Sequence, residues 1–304
     1  MKIKTKDLLT LNELSKNEFM TIIENAIKLK KDLKKGISKP VLKNKTLAMI
    51  FQKPSTRTRV SFEAGMFQLG GHALNLSADD LQLKRGETIE DTAKTLSRYV
   101  DLIMARVYSH NEVEILAKNT TIPVINGLSD SFHPCQILAD LMTVKEKKKK
   151  FDGLKIAWIG DGNNVCNSMI YGCAKASIDI HIATPKGYEP NQDVVRESKK
   201  YIDLQLFSNP ELAVKNADVV VTDTFVSIHH QATDRTKDFL PRFQVNSNLM
   251  KKANHDAIFL HCLPAKRGQE VTGEVIDGPQ SSIWDEAENR LHVQKALMVS
   301  ILQV

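Results

Sequence analysis

The chain alternates, along nearly its whole length, between short apolar runs of strand length and segments whose apolar residues recur at helical spacing. The runs are TLAMIF (46–51), ALNLS (73–77), LIMARV (102–107), PVING (123–127), KIAWIG (155–160), DIHIAT (179–184), LQLF (204–207), VVVT (219–222) and AIFLHC (257–262). Helix-like segments fall near 57–69, 88–99 and 111–118, and a longer amphipathic one runs from Pro134 to about Lys149. Strands separated in this way by helices specify parallel sheets covered on both faces. At 304 residues the series exceeds one core, and the turn Phe151-Asp152-Gly153 divides it. The expected fold is α/β, with two doubly wound parallel-sheet domains (1–150 and 151–285) joined by interdomain helices. An opening helix carries Phe19, Ile22, Ile23, Ala26 and Leu29 on one face, with Ser15 and Glu18 spaced as a capping box. A last amphipathic helix, within 286–304, is expected to pack back on the first domain.

Ligands of parallel α/β sheets sit beyond the carboxyl ends of the strands, so the residues that follow each apolar run are the candidates. The first run leads into Ser55-Thr56-Arg57-Thr58-Arg59, where a strand should turn into a helix. Unpaired N–H groups, the helix dipole, hydroxyls and a guanidinium fork together make an anion site that suits phosphate. Arg106 ends another run, and His133 and Gln136 lie three apart around a helix-entry proline, Pro134. Gly160-Asp161-Gly162-Asn163-Asn164 resembles a dinucleotide turn, but Val165 stands where its third small residue belongs. Asn163 and Asn164 serve equally as helix caps or as amides for a polar ligand. Asp223 to Ser227 and His261-Cys262-Leu263-Pro264 follow later runs. Each is ordinary alone: the first as a turn, the second as a buried cysteine.

Composition narrows the class. No run approaches the ~18 apolar residues of a membrane span, and the N-terminal segment lacks the apolar stretch of a secretory signal. Membrane association is not expected, and a cytoplasmic location is. Cys135, Cys166, Cys173 and Cys262 show no metal-ligand or disulfide spacing, and His229 and His230, being adjacent, would be expected to diverge. Reduced thiols, no metal and no cofactor are expected. The net charge of +6 lies largely in KLKKDLKK (28–35) and KEKKKK (145–150). These runs read as solvated helix faces, and no aromatic or base-reading motif accompanies them, so nucleic acid is not an expected partner.

The motifs taken together carry more. FQKPSTRTR, ARVY (105–108), HPCQILAD (133–140), GDGNN (160–164), HCLPAKRG (261–268) and EAENR (286–290) resemble the aspartate/ornithine carbamoyltransferase family from the first helix to the last. HCLP, DTAKTLSRY (91–99) and ATPKGYEP (183–190) favour its ornithine branch. The resemblance implies an N-terminal carbamoyl phosphate domain, a C-terminal ornithine domain, and an active site between domains and between the subunits of a homotrimer or multiple of trimers. It implies transfer of a carbamoyl group to the δ-amine of ornithine; other amines such as putrescine are the alternative. By motif, Ser55, Thr56, Arg57 and Thr58 would hold the phosphate. Arg106, His133 and Gln136 would contact the carbamoyl group, and Arg290 would complete the pocket from the second domain. Gln82 would come from a neighbouring subunit. Asn164, Asp223, Ser227 and Ile228 would hold the amino-acid end, while Cys262 and the Leu263 carbonyl would face the δ-amine and border the carbamoyl group. Arg57, Arg106, His133 and Cys262 would be the catalytic residues. One departure is local: Ser227-Ile228-His229 replaces the family's Ser-Met-Gly, which puts loop closure and amino-acid affinity in question.

Overall fold

A computed structural model describes residues 2–77, 81–226 and 235–303. The chain forms two compact units, Met1–Met142 with Glu288–Val304, and Thr143–Ala287. The first contains β1 (Thr46–Phe51), β2 (His72–Ser77), β3 (Leu102–Arg106) and β4 (Val124–Leu128), with α1 (Lys16–Lys34), α2 (Thr56–Gln68), α3 (Ile89–Leu96) and α4 (His110–Asn119). Next, α5 (Pro134–Lys148) crosses the unit boundary. The second unit contains β5 (Lys155–Ile159), β6 (Asp179–Ala183), β7 (Leu204–Phe207), β8 (Val219–Thr222) and β9 (Ile258–His261). Its helices are α6 (Asn164–Ala176), α7 (Gln192–Ser198), α8 (Pro210–Val214), α9 (Thr236–Phe239), α10 (Ser247–Met250) and α11 (Gly273–Ile276). The last helix, α12 (Ile283–Ile301), carries the chain from the second unit into the first.

Both sheets are parallel, in the orders β2-β1-β3-β4 and β7-β6-β5-β8-β9. The strand order reverses between β1 and β3 in the first sheet and between β5 and β8 in the second. Helices that leave neighbouring strands at such a point diverge to opposite faces and open a crevice. Ser55–Arg59 follows β1 and Arg106 ends β3, while the GDGNN turn follows β5 and Asp223 follows β8. The chemistry-bearing segments therefore flank the switch point of each sheet.

Local rules explain the elements. β1, β3 and β4 are buried along nearly their entire length, whereas the edge strand β2 is largely exposed. The PVING run begins a residue too early because Pro123 has no N–H for the ladder; its carbonyl accepts from the Ile103 N–H at 3.0 Å. At α1 the Ser15 hydroxyl accepts from the Glu18 N–H, and the Glu18 carboxylate returns to the Ser15 N–H at 2.9 Å, forming the reciprocal cap expected from the sequence. Burial pushes the Glu18 carboxyl upward, but bonds from Ser15, Thr5 and Lys4 prevail and hold it at about 2.

Candidate active site

In the first unit the anion site forms at the start of α2. Ser55 is the N-cap, its hydroxyl accepting from the Thr58 N–H at 3.4 Å, and no acidic residue occupies the first turn. Thr56 and Arg57 are exposed, Ser55 is half-buried and Thr58 is buried. A cleft of about 630 Å³ opens here, lined by Lys53, Ser55, Thr56, Asn75 and Ser77 among others. Loop and strand ends are stitched beside it: the Gln52 N–H donates to the Arg106 carbonyl at 2.9 Å, and the Tyr108 N–H to the Gln52 side chain at 2.8 Å. Lys53 lies 4.1 Å from the centre of the Tyr108 ring. Burial and then the Arg106 charge hold its ammonium below the usual lysine range, against a smaller upward pull from Asp130. Crowded cations of this kind are relieved by an anion.

Arg290 is the centre of a buried cluster that meets the start of α2 at Thr58 and is separate from the residues lining that cleft. It is 3% exposed and reaches residues on other elements of the same unit. Its guanidinium donates to the Thr58 hydroxyl at 3.1 Å and to the Gln136 carbonyl at 2.5 Å, and stands 3.4 Å from His133 Nε2. The Gln136 amide in turn donates to Asp140 at 2.8 Å. Pro134 begins α5, so His133 and Gln136 enter the cluster from one helical turn. The planar fork, held by acceptors on two other helices, has little freedom left to lose on binding an anion. One expectation is corrected here. Arg290 belongs to the first compact unit, not to the second domain, because α12 crosses the boundary before Glu288. Gln82 is exposed on a short 3-10 turn, Gln82–Arg85.

In the second unit the site is built around Asp223, which is 6% exposed. One carboxylate oxygen accepts from the Asn163 side-chain amide at 2.8 Å; the other accepts from the Thr224 N–H at 2.7 Å and the Cys262 thiol at 3.0 Å. Asn163 also caps α6, accepting from the N–H groups of Val165 and Cys166, so the capping reading of this turn holds. Asn164 is the buried first residue of α6. Behind the HCLP segment, His261 Nδ1 accepts from the Leu263 N–H at 2.9 Å, which places the ring proton on Nε2, 3.2 Å from the buried Glu270 carboxylate. Leu263 stands at φ 58°, followed by a cis bond to Pro264. Asp223, His261 and Cys262 cluster closely enough to suggest a metal site. Both His261 nitrogens are already engaged, however, and no lone pair is left to bind one. Ser227, Ile228, His229 and His230 lie outside the described residues.

Several groups that build the two sites carry no sequence signature of their own. Asp140 follows Gln136 by one helical turn, a spacing that could have been noticed. Arg235 bonds Asp161 at 2.9 Å and stacks 4.8 Å over Tyr188, uniting residues far apart in sequence. Burial lifts the Asp161 carboxyl to about 6, against the downward pull of Arg235. Cys135 is also fully buried, which pushes its thiol up to about 12, so it is not a nucleophile.

Fold and sites together define a two-unit α/β protein with a cationic cluster in one unit and a carboxylate-centred polar site in the other. Residues 6–146 match the family model described as "Aspartate/ornithine carbamoyltransferase, carbamoyl-P binding domain", and residues 152–301 the "Asp/Orn binding domain" of the same family. The chain is similar to proteins named ornithine carbamoyltransferase from Cenarchaeum symbiosum (61% identical over 302 residues, 99% of each chain) and Pyrococcus horikoshii (54% over 307 residues, 99% of this chain and 96% of the other). The solved structure of ornithine carbamoyltransferase from Pyrococcus furiosus superposes with a TM-score of 0.95 at 52% identity, covering 100% of this chain and 99% of that one. The chain belongs to the aspartate/ornithine carbamoyltransferase family.

Proposed function

We propose that this chain transfers the carbamoyl group of carbamoyl phosphate to the δ-amine of L-ornithine, giving L-citrulline and phosphate. The observation that carries this reading is the convergence of Arg290, Thr58, Gln136 and His133 beside the exposed N-terminus of α2. In this reading Ser55, Thr56, Arg57 and Thr58 hold the phosphate, and Arg106, His133, Gln136 and Arg290 surround the carbamoyl group. Asn164 and Asp223, with Ser227 and Ile228, hold the amino-acid end, and Cys262 and the Leu263 carbonyl take the δ-amine. The δ-nitrogen lone pair forms the new bond to the carbamoyl carbon, the C–O bond to phosphate breaks with its electrons going to phosphate, and the amine sheds a proton. Negative charge that develops on the carbonyl oxygen is met by donors already fixed in place, which in comparable sites is worth several kcal/mol. No covalent intermediate is required. A free alkyl amine has a pKa of about 10.4, so the δ-amine must react in its deprotonated form. Putrescine, which lacks an α-amino-acid end, would leave Asp223 and Asn164 without a task.

The domain roles follow: 1–150, with the helix of 286–304, binds carbamoyl phosphate, and 151–285 binds ornithine. Assembly into three copies is part of this reading; Gln82 is exposed, and Val60, Phe67 and Leu74, apolar yet 57%, 82% and 38% exposed on α2 and β2, offer surface for contact with another copy. No helix among the described residues is long and apolar enough to cross a membrane; cytoplasmic residence belongs to the same reading. The test is citrulline formation by the purified chain from carbamoyl phosphate and ornithine. Turnover that disappears in Arg290→Ala supports the reading, and absence of citrulline from the unmodified chain overturns it.

A further inference from the structure

Lys30 is the exception in a lysine-rich run. Lys28, Lys31, Lys34 and Lys35 are exposed, while Lys30 is 5% exposed. A buried ammonium is costly unless it is paired and hydrogen-bonded. Its partners lie at the other end of the chain, on α12: Nζ donates to the Asn289 side-chain carbonyl at 2.7 Å and pairs with Glu288 at 3.2 Å. Asn289, fully buried, immediately precedes Arg290. Successive helical residues are rotated by about 100°, so fixing the azimuth of Asn289 fixes the direction in which Arg290 leaves the helix.

Helix α12 is held by α2 as well. A Cβ placed on Gly65 of α2 would come within 3.2 Å of the Lys295 side chain, and Lys295 Nζ donates to Gln68 at 2.8 Å. Thus α2, which carries Ser55 and Thr58 at its start, packs on α12 at Lys295, about two turns beyond the point where Lys30 of α1 grips it. We propose that Lys30 is a positioning residue for carbamoyl phosphate, orienting α12 through Asn289 and Glu288 so that Arg290 enters the pocket in register. The proposal rests on the reading that Arg290 grips carbamoyl phosphate.

The experiment measures carbamoyl phosphate affinity by calorimetry on the full chain for Lys30→Met, Arg290→Gln and the double variant. Methionine keeps the stem and removes the donor. Misplacing a binding group by a fraction of an ångström should weaken carbamoyl phosphate roughly tenfold in Lys30→Met, with the KM for ornithine unchanged at saturating carbamoyl phosphate. In the Arg290→Gln background, Lys30→Met should add almost nothing, because no guanidinium remains to be aimed. Unchanged affinity in Lys30→Met beside a large loss in Arg290→Gln overturns the proposal, as does a full additive loss in the double variant, which marks general softening. Unchanged affinity in Arg290→Gln overturns the pocket reading itself. Should Lys30→Met fail to fold, Lys30→Gln, too short to reach Asn289, is read by the same criteria.

Discussion

The two ligand sites of this chain differ in the sign of the charge they present and in how far along the sequence they are assembled. The first unit offers donors: Arg106, Arg290, Lys53 and the N–H groups of α2 crowd one place, and their guanidinium centre comes from the last helix of the chain. The second offers a carboxylate, Asp223, with one amide, one N–H and one thiol bonded to it, all drawn from between Asn163 and Cys262. A dianion and an ammonium-bearing amino acid are the ligands these opposite fields favour. The difference teaches that the cationic cluster depends on long-range helix packing, while the Asp223 cluster depends on strand-end loops of a single sheet.

Removing a phosphate donor should break the comparison most severely. Arg57→Ala takes a charge-assisted fork from a site built for a dianion, so kcat/KM for carbamoyl phosphate should fall by about 10³-fold or more. Saturation by carbamoyl phosphate near the unmodified level would place the phosphate elsewhere. Asp223→Asn should strike only the other site: ornithine kcat/KM should drop by roughly 10²-fold, with carbamoyl phosphate affinity in calorimetry unchanged. Loss of both affinities together would erase the separation of the sites.

Asp161 gives the second unit a pH signature. Its carboxyl is lifted from 3.8 to about 6, burial being the main cause. A raised carboxyl pKa in the fold contributes stability that is full below 3.8 and is lost as pH rises through about 6. The unfolding free energy of the unmodified chain should therefore fall relative to that of Asp161→Asn as pH rises from 4 to 6, by about 2 kcal/mol. A constant difference across that window would contradict the assignment. The smallest effect belongs far from either site. Ser15→Ala removes one half of the α1 capping box and should cost about 1 kcal/mol of stability, with both substrate affinities intact in steady-state assays.

Much of this was legible in the chain. The apolar runs located the strands because strands buried on both faces must be apolar throughout, and the residues after them located the candidate sites because sheet topology opens a crevice there. Ser15 with Glu18 and Asn163 announced their caps. Partners set by tertiary packing were not legible. Lys30 reads as one more lysine in KLKKDLKK until Asn289 arrives across the fold, and Glu270 carries no mark of its bond to His261. Arg290 was named by motif, and the helix of 286–304 was expected on the first domain, the unit that holds Glu288–Val304; only the reading that Arg290 reaches in from the second domain is set aside. Edge strand β2 looked like any buried run, because its exposure is a matter of position in the sheet order.

The central claim is that an ornithine-shaped amine is the acceptor, and a competition of amines tests it most directly. With carbamoyl phosphate saturating, kcat/KM should be measured for ornithine and for putrescine on the same preparation. Putrescine leaves the buried Asp223 without its ligand partner, so ornithine should be preferred by about 10³-fold or more, and Asp223→Asn should narrow that gap through loss of ornithine use. Putrescine turned over as well as ornithine by the unmodified chain would contradict the account of the second site, while leaving the carbamoyl phosphate pocket standing.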